Sequence, residues 1–488
     1  MLYYSTRNHK ILRTPSEAIV EGIAPDGGLY LPEQFPAFPM EKLLLLSGID
    51  ISVEVLSLLL DDFSKEELKV LVHAAYDNSF ENGEIAPIKS VGDHYIMELW
   101  HGPTCAFKDV ALQLLPHLLT AAAKKCGVRD EICILTATSG DTGSAALAGF
   151  SEVEGTRIIV FYPDGGVSPM QKRQMVTCSG KNTAVCAIKG NFDDAQSGVK
   201  KIFAEQTPPA GMKFSSANSI NIGRLAPQIA YYFTAYRDLV KMGKISFGDC
   251  VNFVVPTGNF GDILAGYFAK MMGLPVGMLV SASNENRVLA DFFTSGVYDR
   301  RREFYLTSSP SMDILISSNL ERLIALVCGE EKTERYMKEL RENGVYKIEK
   351  DDLDRICAEF SAAWVNGEET AETIRTLFEM TGYLADPHTA VGVCAMKKWL
   401  AESDKDREAN TVVLSTASPY KFTRHVLTAL GEEATEDEFA DVKRLEAISG
   451  VPIPASLSAL EKATVHHKDV VAIDEMADYV MRKTKEVL

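Results

Sequence analysis

The chain has 488 residues, with 50 basic against 67 acidic side chains and a formal net charge of −17. That balance makes nucleic acid and anionic membranes poor partners, and 46% apolar residues exclude a disordered chain. The nine cysteines are scattered with no CxxC pair, and the start MLYYSTRNHKILRTPSEAIV carries no export pattern, so no disulfide framework or zinc site is expected and a reduced cytoplasm is the expected compartment.

Residues 1–85 alternate turn signals with helical runs and read as an N-terminal domain. Within it the apolar stretch from Leu43 to Leu60, interrupted by Asp50 and Glu54, predicts a buried helix rather than a membrane span. From residue 86 the rhythm changes. HYIMELW (94–100), EICILTAT (131–138), TRIIVFY (156–162), VNFVVPT (251–257) and TVVLSTA (411–417) are short β-rich runs, each followed by a turn and a helical stretch. Buried, near-continuous apolar strands that alternate with helices predict an α/β core, residues 86–430, with parallel sheets covered on both faces. Residues 285–380 are more helical and charged, and read as an insertion packed on that core; residues 431–488 read as a helical, acidic segment.

Ligands of open α/β sheets sit beyond the carboxyl ends of the strands, so the residues after each strand carry the functional argument. In WHGPTCAFKDVALQLL, Lys108 stands at a strand–turn–helix junction, where the helix dipole and apolar neighbours Ala106 and Phe107 disfavour its charge. A neutral amine suits covalent chemistry with an aldehyde; an exposed lysine paired with Asp109 is the plainer alternative. In TATSGDTGSAALAGF, the turn Ser139, Gly140, Asp141, Thr142 opens an Ala-rich helix whose free amides suit an anion, or simply a capped helix start. Gly258-Asn259-Phe260-Gly261-Asp262 repeats that choice, with two glycines that permit close backbone approach. Ser415, Thr416 and Ser418 end the strand near residue 415 and say little alone. SSANSINIGRLAPQ gathers Asn218, Ser219, Asn221 and Arg224, whose guanidinium suits a carboxylate or phosphate. His388 in DPHTAVG reads as a structural hydrogen-bonder. One candidate amine with two anion-binding turns suits an aldehyde cofactor that carries a phosphate and a substrate that carries a carboxylate, and pyridoxal phosphate asks for both.

Taken in order, YYSTR, PDGGLYLP, HGPTCAFKD, TSGDTGSAA, SANSINIGRLAPQ, PTGNFGD, DPHTAVG and LSTASP resemble the threonine synthase family, in its longer bacterial and fungal subclass, over nearly the whole chain. The resemblance implies a fold-type-II pyridoxal phosphate enzyme, similar to the tryptophan synthase β-subunit, with the cofactor between two α/β domains. It implies conversion of O-phospho-L-homoserine and water to L-threonine and phosphate. By the same resemblance Lys108 is the Schiff-base lysine, Gly258 to Asp262 cradle the cofactor phosphate, and Thr416 faces the pyridine nitrogen. Thr138, Ser139, Gly140, Asp141 and Thr142 receive the substrate carboxylate, and Asn218, Ser219 and Arg224 its phosphate. Asp141 is expected to turn its side chain away and leave the backbone amides to bind. The rival expectations are a phospho-lyase that ends in 2-oxobutyrate and a silent metabolite-binding protein. No metal is expected, and monomer and homodimer remain equally open.

Overall fold

A computed structural model describes residues 1–402 and 410–486. Two parallel sheets form its frame. The larger has six strands in the order Phe360–Trp364, Val276–Ser283, Val251–Pro256, Asn410–Ser415, His94–Glu98 and Ile88–Val91. Only the last pair is antiparallel. The smaller has five parallel strands in the order Asp469–Val471, Thr183–Ile188, Thr156–Pro163, Glu131–Ala137 and Met212–Ser215. The chain therefore leaves the first sheet, builds most of the second, returns, and comes back once more near its end. The inner strands are buried along their length, as Val251–Pro256 and Thr156–Pro163 show, because helices cover both faces.

Two segments differ from the sequence expectation. Within 285–380, the residues Phe360–Trp364 form an edge strand of the larger sheet rather than part of a helical insertion. The segment after residue 430 is mostly helical, yet Asp469–Val471 completes one edge of the smaller sheet; residues 487–488 lie outside the described residues. Leu43 to Leu60 divides into a 3₁₀ turn, Met40–Leu45, and an α-helix, Gly48–Leu59, because Ser47 caps the second helix through the amide of Asp50.

The N-terminal residues form a three-stranded antiparallel sheet, Asn8–Arg13, Tyr3–Ser5 and Tyr30–Pro32, and three helices that each open on a capping box, Thr14 with Glu17, Ser47 with Asp50 and Ser64 with Glu67. These helices pack on the buried helix Ile222–Lys241 and on Leu115–Lys125. Arg7 ties this unit to the core through Glu321, with Nε to Oε1 at 2.8 Å and Nη2 to Oε2 at 2.9 Å.

One close approach sets the position of Lys108. The helix Lys108–Leu112 lies against the helix Asp141–Phe150, and Gly149 is the point of contact. A Cβ there would stand 1.9 Å from the carbonyl oxygen of Leu112. We expect Gly149→Ala to push the two helices apart and to lower the urea midpoint of unfolding by the equivalent of about 1–3 kcal/mol, whereas Gly127→Ala, whose Cβ meets nothing within 4 Å, should lose only the smaller amount due to its positive φ.

Candidate functional site

Lys108 is the first residue of its short helix. The segment before it runs antiparallel to the end of the strand Asn410–Ser415. The amide of Phe107 donates to the carbonyl of Thr416 at 2.8 Å, the amide of Ser418 donates to that of Cys105 at 3.1 Å, and Ala106 bridges Ala417. Lys108 and Thr416 are thus held on adjacent chain segments. The Lys108 amine makes no hydrogen bond or ion pair among the described residues and lies 4.6 Å from the centre of the Phe107 ring. Burial lowers its pKa; Asp141 opposes the shift, while Arg224 and Lys421 add to it. Asp109, the partner an exposed lysine would need, instead accepts from the amide of Thr104 at 2.8 Å and its hydroxyl at 2.7 Å.

The turn Thr138–Thr142 folds around the Thr138 hydroxyl oxygen, which accepts from the amides of Gly140 at 2.9 Å and Gly143 at 2.8 Å. The amides of Ser139, Asp141 and Thr142 keep no intramolecular partner among the described residues. Asp141 is buried and fully engaged: Oδ1 accepts from Lys421 at 2.7 Å and Gln171 at 2.9 Å, and Oδ2 from the Ser311 hydroxyl at 3.0 Å. Burial would raise its pKa, but Lys421 and then Lys108 outweigh this and hold the carboxyl well below the usual carboxylate range.

Gly258 to Asp262 join the strand Val251–Pro256 to the helix Gly261–Met271. Phe260 adopts a left-handed conformation, φ 65°, although it is not glycine and is wholly buried. Its ring packs on Phe293 at 6.1 Å and Phe360 at 5.7 Å, which offsets a strain of about 1–3 kcal/mol. The turn cannot take a side chain at Gly258, where a Cβ would stand 2.6 Å from the carbonyl oxygen of Ser311. The amides of Asn259, Phe260 and Gly261 have no partner among the described residues. The exposed Asn259 accepts at its carbonyl from Asn319, from the amide and from Nδ2, each at 3.0 Å. Burial pushes the carboxyl of Asp262 up to about 6, against the pull of the Ile263 amide and Lys108.

Arg224 is buried, and no carboxylate pairs with it among the described residues. Nη1 donates to the carbonyl of Ala217, while Nε is buried without a partner. Burial alone pushes the guanidinium down to about 10. Asn218 is exposed and Ser219 is half-buried, so the two stand in a different setting from Arg224.

The arrangement fits a phosphorylated aldehyde cofactor and an anionic substrate: a half-buried amine without a partner, with Asp141, Arg224 and Asp262 among the charges that act on it, and two turns with free amides. Among the described residues no group of three His, Cys, Asp or Glu could hold a metal, and no helix is long and apolar enough to cross a membrane.

Sequence reasoning did not reach Lys421, Gln171 and Ser311. Lys421 is wholly buried and also donates to the carbonyl of Thr104 at 2.8 Å. Gln171 completes a capping box with Ser168, a signal present in SPMQ, but its second bond to Asp141 has none. His388, read as a structural hydrogen-bonder, is buried between Asp386, at 2.7 Å from Nδ1, and the amide of Ser311, which donates to Nε2 at 3.1 Å.

A family model described as pyridoxal-phosphate dependent enzyme matches residues 87–417. Models of the threonine synthase N terminus and C-terminal region match residues 2–76 and 389–480. Threonine synthase of Saccharomyces cerevisiae is 37% identical over 481 residues, which covers 92% of this chain and 93% of that one. Threonine synthase-like 1 of Macaca fascicularis is 38% identical across 93% of this chain, but the chain spans only 63% of that relative's length. A crystal structure of threonine synthase from Brucella melitensis with PLP bound superposes with a TM-score of 0.88 at 36% identity, over 100% of both chains.

Arg224 gives a test that needs no turnover. A buried charge with one hydrogen bond costs stability that an apolar side chain of similar length does not. In ligand-free protein, Arg224→Met should keep or raise the midpoint of thermal unfolding. Inorganic phosphate should raise the wild-type midpoint by more than that of the variant, whose remaining rise reports the free amides.

Proposed function

The chain belongs to the threonine synthase family of pyridoxal-phosphate-dependent enzymes, and on that footing we propose that it converts O-phospho-L-homoserine and water to L-threonine and phosphate. The observation that carries this reading is the half-buried Lys108 amine, which has no partner among the described residues and feels Asp141 and Asp262, one from each turn with free amides, and the incompletely bonded Arg224.

In this reading Lys108 holds the cofactor as a Schiff base. The amides of Asn259, Phe260 and Gly261 take the cofactor's phosphate, with Gly258 and Asp262 shaping the turn around them. Thr416 faces the ring nitrogen, and its neutral hydroxyl leaves that nitrogen less firmly protonated than a carboxylate would. When bound, the cofactor supplies an electron sink for the charge that develops as a proton leaves substrate carbon.

The remaining work falls to the side chains and amides of this chain. The amides of Ser139, Asp141 and Thr142 hold the substrate carboxylate, and Thr138 fixes their loop from within. Asp141 does not repel the substrate, because its oxygens are committed to Lys421, Gln171 and Ser311. Lys108 Nζ is the base. Its lowered pKa leaves more of it neutral at working pH, so it can take the proton from Cα and return one later. Arg224 presents its planar fork to the phosphate that leaves Cγ, with Ser219 at half-buried range and the exposed Asn218 at the rim.

Borohydride reduction of the coloured protein followed by peptide mapping should place the pyridoxyl group on Lys108; a label on Lys421 or Lys270 would overturn the assignment. Lys108→Ala should lose turnover almost entirely. Arg224→Ala should cost roughly ten- to a hundredfold in kcat/KM for phosphohomoserine, with the cofactor still bound to Lys108. The product should be threonine; accumulation of 2-oxobutyrate would mark a phospho-lyase instead.

A further inference from the structure

Among the lysines, Lys421 has an unusual place. It is wholly buried, and its amine is bound between the carbonyl of Thr104 at 2.8 Å and Asp141 Oδ1 at 2.7 Å. Thr104 and Cys105 lead into Lys108, and Asp141 lies in the turn whose amides face the substrate carboxylate in the reading above. The main chain of Lys421 is fixed as well: its carbonyl accepts from the Ser168 hydroxyl at 3.0 Å, and Ser168 caps the helix that carries Gln171. Gln171 and Ser311 complete the enclosure of Asp141.

The charges near the Lys108 amine are Asp141, Arg224, Lys421 and Asp262. They stand on four separate segments, and Asp141 is the carboxylate that acts on Lys108 most strongly. Two amines, the buried Lys421 and the half-buried Lys108, therefore compete for one carboxylate. The geometry gives it to Lys421, in direct contact, and leaves Lys108 without an ion pair.

We propose that Lys421 is a positioning residue for this reaction: it binds the Asp141 carboxylate away from the free amides of its turn and denies that carboxylate to Lys108. The proposal deepens the functional reading above and rests on it. Without Lys421, a stranded Asp141 has two courses, and each harms a different step. It can turn toward the amides of Ser139 and Thr142 and exclude the substrate carboxylate, or it can pair with Lys108 and keep that amine charged.

The test uses holoenzyme in four forms: wild type, Lys421→Met, Asp141→Asn and the double variant. The pH midpoint of the cofactor's visible band reports the field at Lys108, and KM and kcat for phosphohomoserine report binding and turnover separately. Loss of the Lys421 charge leaves a bare carboxylate, which favours the protonated form, so the midpoint of Lys421→Met should rise by about one pH unit or more. Its KM should rise roughly tenfold or more. Asp141→Asn strands the ammonium and should move the midpoint down. The double variant, which strands neither charge, should return the midpoint close to wild type and recover most of the loss in KM. If Lys421→Met is too unstable to purify, the comparison of Asp141→Asn with the double variant still decides the matter. An unmoved midpoint in Lys421→Met, or a double variant no better than the worse single one, would overturn the proposal. A borohydride label that maps away from Lys108 in wild type would instead overturn the functional reading, so the two failures are distinct.

Discussion

The ion pair between Asp141 and Lys421 is the constraint on which the site's geometry depends. Asp141 belongs to the smaller sheet, at the turn that follows Glu131–Ala137, and Lys421 follows the last strand of the larger one. A buried charge without its partner costs several kcal/mol, about 3–5 when one member of a pair is removed, so neither sheet can shift against the other without paying it. The pair also brings in Gln171 from the smaller unit and Ser311 from the larger, and through Ser311 it reaches His388 and Asp386. These polar bonds run beside apolar contacts that also join the two units, among them Met170 with Met312 and Tyr420.

A second set of contacts supports the turn at Gly258–Asp262 from the far side. Arg322 is wholly buried and donates to the carbonyls of Tyr30 at 2.9 Å and Ile220 at 2.6 Å, and to the side chain of Asn319. Asn319 in turn bonds the carbonyl of Asn259. Burial pushes the Arg322 guanidinium down to about 10, and no carboxylate contacts it directly among the described residues. The N-terminal sheet thus contributes a backbone carbonyl to a chain of bonds that ends at the turn. Together with the Arg7–Glu321 pair, this gives the N-terminal unit a mechanical part in the site although it supplies none of the candidate residues.

The sequence made the main frame legible for local reasons. Apolar runs such as VNFVVP and TRIIVFY are long enough to read as buried strands, and a lysine between a Gly-Pro turn and a helix announces its setting. Phe360–Trp364 and Asp469–Val471 escaped because FSAAW is short with two alanines, and DVV is three residues with an exposed start. The site showed the same division. Lys108 and the two glycine-bearing turns are written in neighbouring residues. The neutralisation of Asp141 is not, since its partners lie 30, 170 and 280 positions away and only the fold brings them together. Asn218 and Ser219 were grouped with Arg224 by proximity in sequence, but the helix that begins at Ile222 carries Arg224 inward and leaves Asn218 outside.

The strand order has a consequence for how the chain is made. Asn410–Ser415 lies in the middle of the larger sheet, between Val251–Pro256 and His94–Glu98, and Trp100 bonds Ser415 across 315 positions. On a ribosome, the first two strands of that sheet emerge early and must wait with one apolar edge open until most of the polypeptide has been synthesised. The smaller sheet, nearly complete by residue 215, has no such delay. Nascent chains of this protein therefore pass through a long period in which one lobe is close to finished and the other is an open sheet edge, the state most exposed to aggregation and to chaperone capture.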